Sequence, residues 1–151
     1  MTDPRSPARH HPGPETSGAT EVAPGVYVGG AGDARGFGGR RVCVRDDPPA
    51  KTGPDDLHLP VFDVARGRAN RANLDRIAAL IEEGRASGQP VLVYCGFGQR
   101  RGPLAVAWYL ARHERIDLEE AYRRIRKVRP EVETPREWIS DESSYSLSPL
   151  E

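Results

Sequence analysis

Four successive apolar or aromatic positions, Val91-Leu92-Val93-Tyr94, run without a polar break. That is the pattern of a short strand buried on both faces. Around it, apolar positions change period. Leu74, Ile77, Ala78 and Ile81 recur at i, i+3, i+4, i+7 and predict a helix over 70–86. Leu104, Val106, Trp108 and Leu110 predict a second helix over 104–113, apolar on most sides and therefore central, with Pro103 near its first turn, where a missing N–H costs little. Leu118, Ala121, Tyr122, Ile125 and Val128 predict a third over 117–128, opened by Asp117 with Glu120 three positions on. A last short helix is expected from Thr134, with Pro135 next and Glu137 at its third position. Short strands are expected at 26–28, 41–45 and 57–61. This alternation predicts an α/β domain: a small, mostly parallel central sheet of four to five strands flanked by helices.

Outside this stretch the pattern fades. Residues 1–20 are rich in Pro, Ser, Gly and Thr and offer little to bury, so a disordered tail is expected there, a folded domain over 21–140 and a flexible tail over 141–151. His10 and His11 stand in the first tail without partners and read as solvated rather than metal-binding. The length of 151 residues fits one domain, and 22 basic against 22 acidic residues indicate no nucleic-acid footprint. No apolar run reaches the ~18 residues of a membrane span and no apolar signal core opens the chain, so a cytoplasmic protein is expected. Cys43 and Cys95 do not make a disulfide framework. No residue cluster has metal-ligand spacing, and neither a metal nor another cofactor is expected.

The chemistry concentrates at residues 91–103, VLVYCGFGQRRGP. In a parallel sheet, ligands bind at the carboxyl edge of the strands. A cysteine there, followed by a glycine-rich turn and a helix N-terminus, lies in a field of inward-pointing backbone N–H groups. Such a cradle suits a tetrahedral dianion, and the same field stabilises a thiolate. An arginine at the far side of the loop holds two oxygens through its planar fork. Cys95 as nucleophile, the amides of Gly96, Phe97, Gly98, Gln99, Arg100 and Arg101 as cradle, and Arg101 as clamp suit phosphoryl transfer through a cysteinyl-phosphate.

Cys95-Gly96-Phe97-Gly98-Gln99-Arg100-Arg101 fits C-x-x-G-x-x-R and resembles the signature of cysteine-dependent protein tyrosine phosphatases, in surroundings most similar to the compact dual-specificity branch. The resemblance extends over about Val22 to Ile139, including the tract EEAYRRIRKVRPEV and the opening Val26-Tyr27-Val28-Gly29-Gly30. It implies the fold of that branch and a general acid on a separate loop. Asp63, in LHLPVFDVARG, lies at the separation from Cys95 that the compact branch uses; it would protonate the leaving oxygen and then activate water. Read without the resemblance, Asp63 caps a turn at a strand end. The implied substrate is a phosphorylated protein, at phosphotyrosine and also phosphoserine or phosphothreonine, with phosphoinositides or small phosphorylated metabolites left open. A monomer is expected.

Two positions depart from the family pattern. Tyr94 stands where a histidine usually precedes the nucleophile, and Gly102 where a Ser or Thr usually follows the arginine. Loss of that hydroxyl slows breakdown of the phosphoenzyme more than its formation, so a slow enzyme is expected. Two other classes stay open. One is a phosphatase fold that binds phosphorylated ligands without hydrolysing them. The other is a rhodanese-type sulfurtransferase, because Cys95 to Arg100 also fits C-x-x-G-x-R; that reading leaves Asp63 without a role. Arg66, Arg68 and Arg71 read either as a basic rim or as a solvated loop. Arg123, Arg124, Arg126 and Lys127 read as an exposed helix face, Arg129-Pro130 as a helix end that braces the loop, and Trp108 and Trp138 as core or interface aromatics. Phe97 reads as a narrowing of the cleft or a platform for a phenyl ring, and Cys43 as core rather than a redox partner of Cys95.

Overall fold

Strand β7, Val91–Cys95, is buried along its whole length and lies at the centre of a five-stranded sheet. The computed structural model describes residues 18–47 and 56–139. The sheet runs β1-β2-β7-β3-β4, with β1 Thr20–Ala23, β2 Val26–Gly30, β3 Arg40–Cys43 and β4 Leu57–His58. β1 is antiparallel to β2, and every other neighbouring pair is parallel. A separate two-stranded ladder joins β5, Phe62–Asp63, to β6, Arg68–Ala69. The helices are α1 Ala31–Ala34, α2 Arg71–Ala86, α3 Arg101–Glu114, α4 Leu118–Val128 and α5 Arg136–Ile139. The α/β class and the mostly parallel sheet agree with the alternation of periods along the chain.

Side chains alternate across β7 and build two cores. Val91, Val93 and Cys95 join the larger one with Leu74, Ile77, Ile81, Leu104, Trp108, Tyr122 and Ile125 from α2, α3 and α4. Leu92 and Tyr94 turn to the opposite face, with Tyr27, Ala34, Phe37 and Cys43. The period of two therefore puts the two cysteines on opposite sides of the sheet. Asn70 caps α2 by accepting from the Asn73 N–H at 3.0 Å, and Asp117 caps α4 by accepting from the Glu120 N–H at 2.8 Å. The Glu120 carboxylate pairs with Arg123 and Arg124 instead of returning to the cap.

Several boundaries differ from the sequence expectation. Ala19 and Thr20, assigned to the N-terminal tail, are fully buried, because β1 gains its hydrogen bonds from β2 rather than from any pattern of its own. The rest of that tail, with His10 and His11, and residues 140–151 lie outside the described residues. The strand expected over 57–61 stops at His58: Pro60 has no N–H to donate, and the chain turns into β5. The strand expected over 41–45 covers Arg40–Cys43. Helix α3 begins at Arg101, three residues earlier than its apolar pattern, and takes Pro103 into its first turn. α1 and the β5–β6 ladder are too short to leave a periodic signal.

Candidate active site

Cys95 ends β7 at the carboxyl edge of the sheet, and the chain winds from it straight into α3. Its Sγ accepts hydrogen bonds from the backbone N–H of Gly98 at 3.2 Å and of Gly102 at 3.3 Å. Two backbone amides thus converge on one sulfur. The turn depends on Gly98, whose φ of +73° belongs to the left-handed region; a Cβ there would lie 2.6 Å from Arg129 Nη2 and 2.9 Å from the Gly29 carbonyl carbon. From the other side, the Ala31 N–H at the start of α1 donates to the Gly96 carbonyl at 3.2 Å. A Cβ on Gly30 would stand 2.8 Å from that same oxygen, so this approach requires glycine.

Arg129, only 6 % exposed, braces the loop from behind, in line with the sequence reading. Its Nε donates to the Gly98 carbonyl at 3.0 Å and its Nη2 to the Phe97 carbonyl at 3.3 Å. Its Nη1 reaches Thr20 Oγ1 at 2.7 Å and the Gly18 carbonyl at 3.1 Å, tying the loop to the start of β1. Glu131 Oε2, 3.5 Å from Nε, supplies a counter-charge.

A cleft of about 300 Å³ opens over the loop, lined by Cys95, Gly96, Phe97, Gln99, Arg100 and Arg101 and, from the end of β3, by Arg45, Asp46 and Asp47. Arg101 donates from Nε to Asp46 Oδ1 at 3.0 Å and from Nη2 to Asp46 Oδ2 at 2.8 Å. Its guanidinium also lies 5.2 Å from the Trp138 ring centroid and 5.8 Å from that of Phe62. Arg100 diverges from it: the guanidinium stacks 4.7 Å from the Trp138 ring, pairs with Glu137 and lies 3.8 Å from Glu133. Two adjacent arginines thus take separate tasks, one over the cleft and one fastened to α5. Phe97 is 81 % exposed at the rim.

Asp63 stands in β5 beside Phe62 and does not line the cleft. Its Oδ1 accepts from the Arg66 N–H at 3.2 Å, and its backbone carbonyl accepts from the Gly67 N–H at 2.8 Å. It therefore caps the turn between β5 and β6, on the hairpin whose Phe62 packs toward Arg101. Of the three arginines that follow, Arg66 ion-pairs with Asp63 at 3.7 Å, Arg68 lies in β6, and Arg71 stacks 5.9 Å from the Trp108 ring, away from the cleft lining.

Tyr94 faces the smaller core and donates from its phenol to Asp56 Oδ2 at 3.0 Å; Arg41 Nε meets the other oxygen of Asp56 at 2.5 Å. Burial, then the neighbouring Cys43 and Asp56, push the Tyr94 phenol up, so it stays a neutral donor. Burial likewise pushes the Cys43 thiol up. Behind the nucleophile, a Cβ on Gly102 would lie 3.6 Å from Cys95 Sγ and 3.3 Å from the Val93 carbonyl. A side chain here would fit only if the Val93 carbonyl gave way by a few tenths of an ångström, so the backbone around Gly102 is closely packed against the sulfur.

Sequence reasoning missed Asp46 and Trp138 as neighbours of Arg101. A signal existed for Asp46: it follows a strand that pairs with β7, and carboxyl ends of neighbouring parallel strands converge on one edge. Among the described residues, no group of three His, Cys, Asp or Glu side chains is placed to hold a metal ion.

A buried cysteine whose sulfur takes loop amides thus stands at the strand-to-helix edge of a mostly parallel sheet, in one cleft with Arg101. Residues 43–141 match the family model "Dual specificity phosphatase, catalytic domain", and the chain belongs to that family. Rat dual specificity protein phosphatase 12 is 31 % identical over 143 residues, covering 87 % of this chain and 40 % of its own. The chain thus spans about two fifths of the length of that curated relative. Among solved structures, human DUSP28 carrying a tyrosine-to-histidine substitution superposes with a TM-score of 0.70 at 27 % identity, over 85 % of this chain and 93 % of that one. A mouse putative dual specificity phosphatase complexed with zinc tungstate gives 0.67 at 27 % identity, over 85 % and 86 %.

Proposed function

We propose that this chain hydrolyses phosphate monoesters through a cysteinyl-phosphate, acting as a monomer in the cytoplasm. The observation that carries the reading is the Cys95 sulfur, held by the Gly98 and Gly102 amides in a cleft that Arg101 also lines. Sγ attacks phosphorus and the P–O bond to the leaving group breaks. Arg101 and the loop amides hold the three equatorial oxygens, whose charge catalysis must stabilise. Asp63 gives its proton to the departing oxygen. Water then attacks the phosphocysteine, returns a proton to Asp63, and releases phosphate and the thiolate. The tungstate in the mouse relative, a tetrahedral oxyanion, fits the same class of ligand.

The substrate class is phosphorylated protein. The exposed Phe97 ring at the rim favours an aromatic leaving group, hence phosphotyrosine first. Phosphoserine and phosphothreonine are further substrates, and a phosphoinositide or phosphorylated metabolite carries the same monoester. The sulfurtransferase reading loses support because Arg100, its required clamp, is engaged by Glu137 and Trp138. The Asp46 carboxylate seated in the fork of Arg101 competes with a bound phosphate in a binding-only role as much as in hydrolysis, and so favours neither.

The test is hydrolysis of p-nitrophenyl phosphate from pH 5 to 8 beside Cys95→Ser. A rise and fall with pH that vanishes in the variant supports the mechanism. Inactive wild type beside a Cys95→Ser protein that still binds a phosphopeptide overturns it in favour of the binding role.

A further inference from the structure

The hairpin that carries Asp63 is a two-stranded ladder separate from the main sheet, so its place relative to the loop depends on side-chain packing. Its fastening is aromatic. The Phe62 ring, one residue before Asp63, packs on Trp138 with centroids 4.6 Å apart and planes tilted by 38°. The same indole, 7 % exposed, lies 5.2 Å from the Arg101 guanidinium and 4.7 Å from that of Arg100. Phe62 closes the triangle by standing 5.8 Å from Arg101.

The segment bearing Trp138 is itself tied to the loop. The Glu133 N–H donates to the Gln99 carbonyl at 2.8 Å, Glu137 pairs with Arg100, and Arg126 Nη1 donates to Thr134 Oγ1 at 2.9 Å. On its outer side Arg136 holds Glu119 at 2.9 Å. One indole thus touches the phosphate clamp, the loop arginine beside it and the hairpin that presents the acid.

We infer that Trp138 is a positioning residue that sets the Asp63 hairpin against Arg101, so that leaving-group protonation is coupled to phosphate binding. This rests on the reading of Asp63 as the general acid. A misplaced acid slows departure of a poor leaving group far more than of a good one, because only the poor one needs its proton in the transition state. A change in phosphate affinity, by contrast, affects all aryl phosphates alike.

The experiment compares kcat/KM for p-nitrophenyl phosphate and phenyl phosphate, whose phenol has a pKa of about 10, in wild type, Trp138→Leu, Trp138→Phe, Phe62→Leu and Asp63→Asn. The expected result is a rise in the nitrophenyl-to-phenyl ratio of about tenfold in Asp63→Asn, most of that rise in Trp138→Leu, and near wild-type behaviour in Trp138→Phe, where a ring still reaches Phe62. Phe62→Leu cuts the same contact from the other side, is expected to raise the ratio too, and decides the matter if Trp138→Leu does not fold. A raised ratio in Asp63→Asn with an unchanged ratio in both contact variants, even with slower rates, overturns the positioning role and leaves the acid assignment standing. An unchanged ratio in Asp63→Asn overturns the acid assignment and the inference with it.

Discussion

Arg101 and Asp46, 55 residues apart in the chain, form a two-pronged ion pair across the cleft, at 3.0 and 2.8 Å. The guanidinium fork matches a carboxylate as well as it matches two phosphate oxygens, so a bound dianion competes with Asp46. Both side chains are about one third exposed, and such pairs contribute at most about 1 kcal/mol. Asp46→Ala is therefore expected to tighten competitive inhibition by tungstate or inorganic phosphate by about two- to fivefold. Weaker inhibition in the variant would mean that Asp46 orients the arginine rather than occupying it.

Gly102→Ser tests whether a hydroxyl can be seated behind the sulfur, where its Cβ must share room with the Val93 carbonyl at 3.3 Å. With its Cβ 3.6 Å from Sγ, a serine brings a hydroxyl within reach of the departing thiolate in the second step. Steady-state turnover is expected to rise by about tenfold with little change in the pre-steady-state burst. Quenched-flow measurement of both phases checks this; an equal gain in each would place the slow step elsewhere.

Tyr94→His replaces a phenol that stays neutral across the assay range with an imidazole beside the Asp56 carboxylate, a group able to take up a proton. A cation at position 94, one residue from Cys95 but across the sheet from its sulfur, favours the thiolate through its field. The acid limb of kcat/KM is expected to move to lower pH, with activity at pH 6 raised about threefold to tenfold. Tyr94→Phe, which removes the bond to Asp56 without adding charge, is expected to leave the limb in place.

Arg129→Gln removes a nearly buried guanidinium that holds the Gly98 and Phe97 carbonyls and Thr20. Charge-assisted bonds of this kind contribute about 1.5–3 kcal/mol each, not additively. A loss of about 2–4 kcal/mol in denaturant unfolding is expected, with activity falling further than stability because the cradle loosens first. Gly98→Ala should do the same from the other side of the contact, through its strained φ and the 2.6 Å approach to Arg129.

Glu137 ties α5 to Arg100, and its carboxyl is held below the ordinary range by a hydrogen bond from its own backbone and by the Arg100 side chain. A depressed folded pKa stabilises above the unfolded value and is lost as pH falls through the folded one. Glu137→Gln is therefore expected to lower the melting temperature by a constant amount from pH 5 to 8. The difference should close only below the ordinary carboxylate range. Thermal melts of the two proteins against pH measure it.

The loop proposed as nucleophile and cradle was legible because Cys95 to Arg101 is one unbroken piece of chain: a strand buried on both faces, a glycine turn and a helix start write cysteine, amides and arginine in order. α2 and α4 were legible for a similar local reason, an apolar stripe at helical period behind the caps Asn70 and Asp117. The sequence by itself thus determined the α/β class, the order of the main elements and which residues make up the loop. What only the tertiary structure decided are meetings between residues with no shared local pattern. Thr20 becomes a strand by pairing with Val28, and Arg129 crosses to it behind the loop. Asp46 reaches Arg101 because β3 ends beside β7, and Trp138 meets Phe62 because α5 folds back over the hairpin. Local pattern records how a segment buries its own face. It does not record which distant side chain fills the space opposite, and here that choice governs how the two arginines are divided.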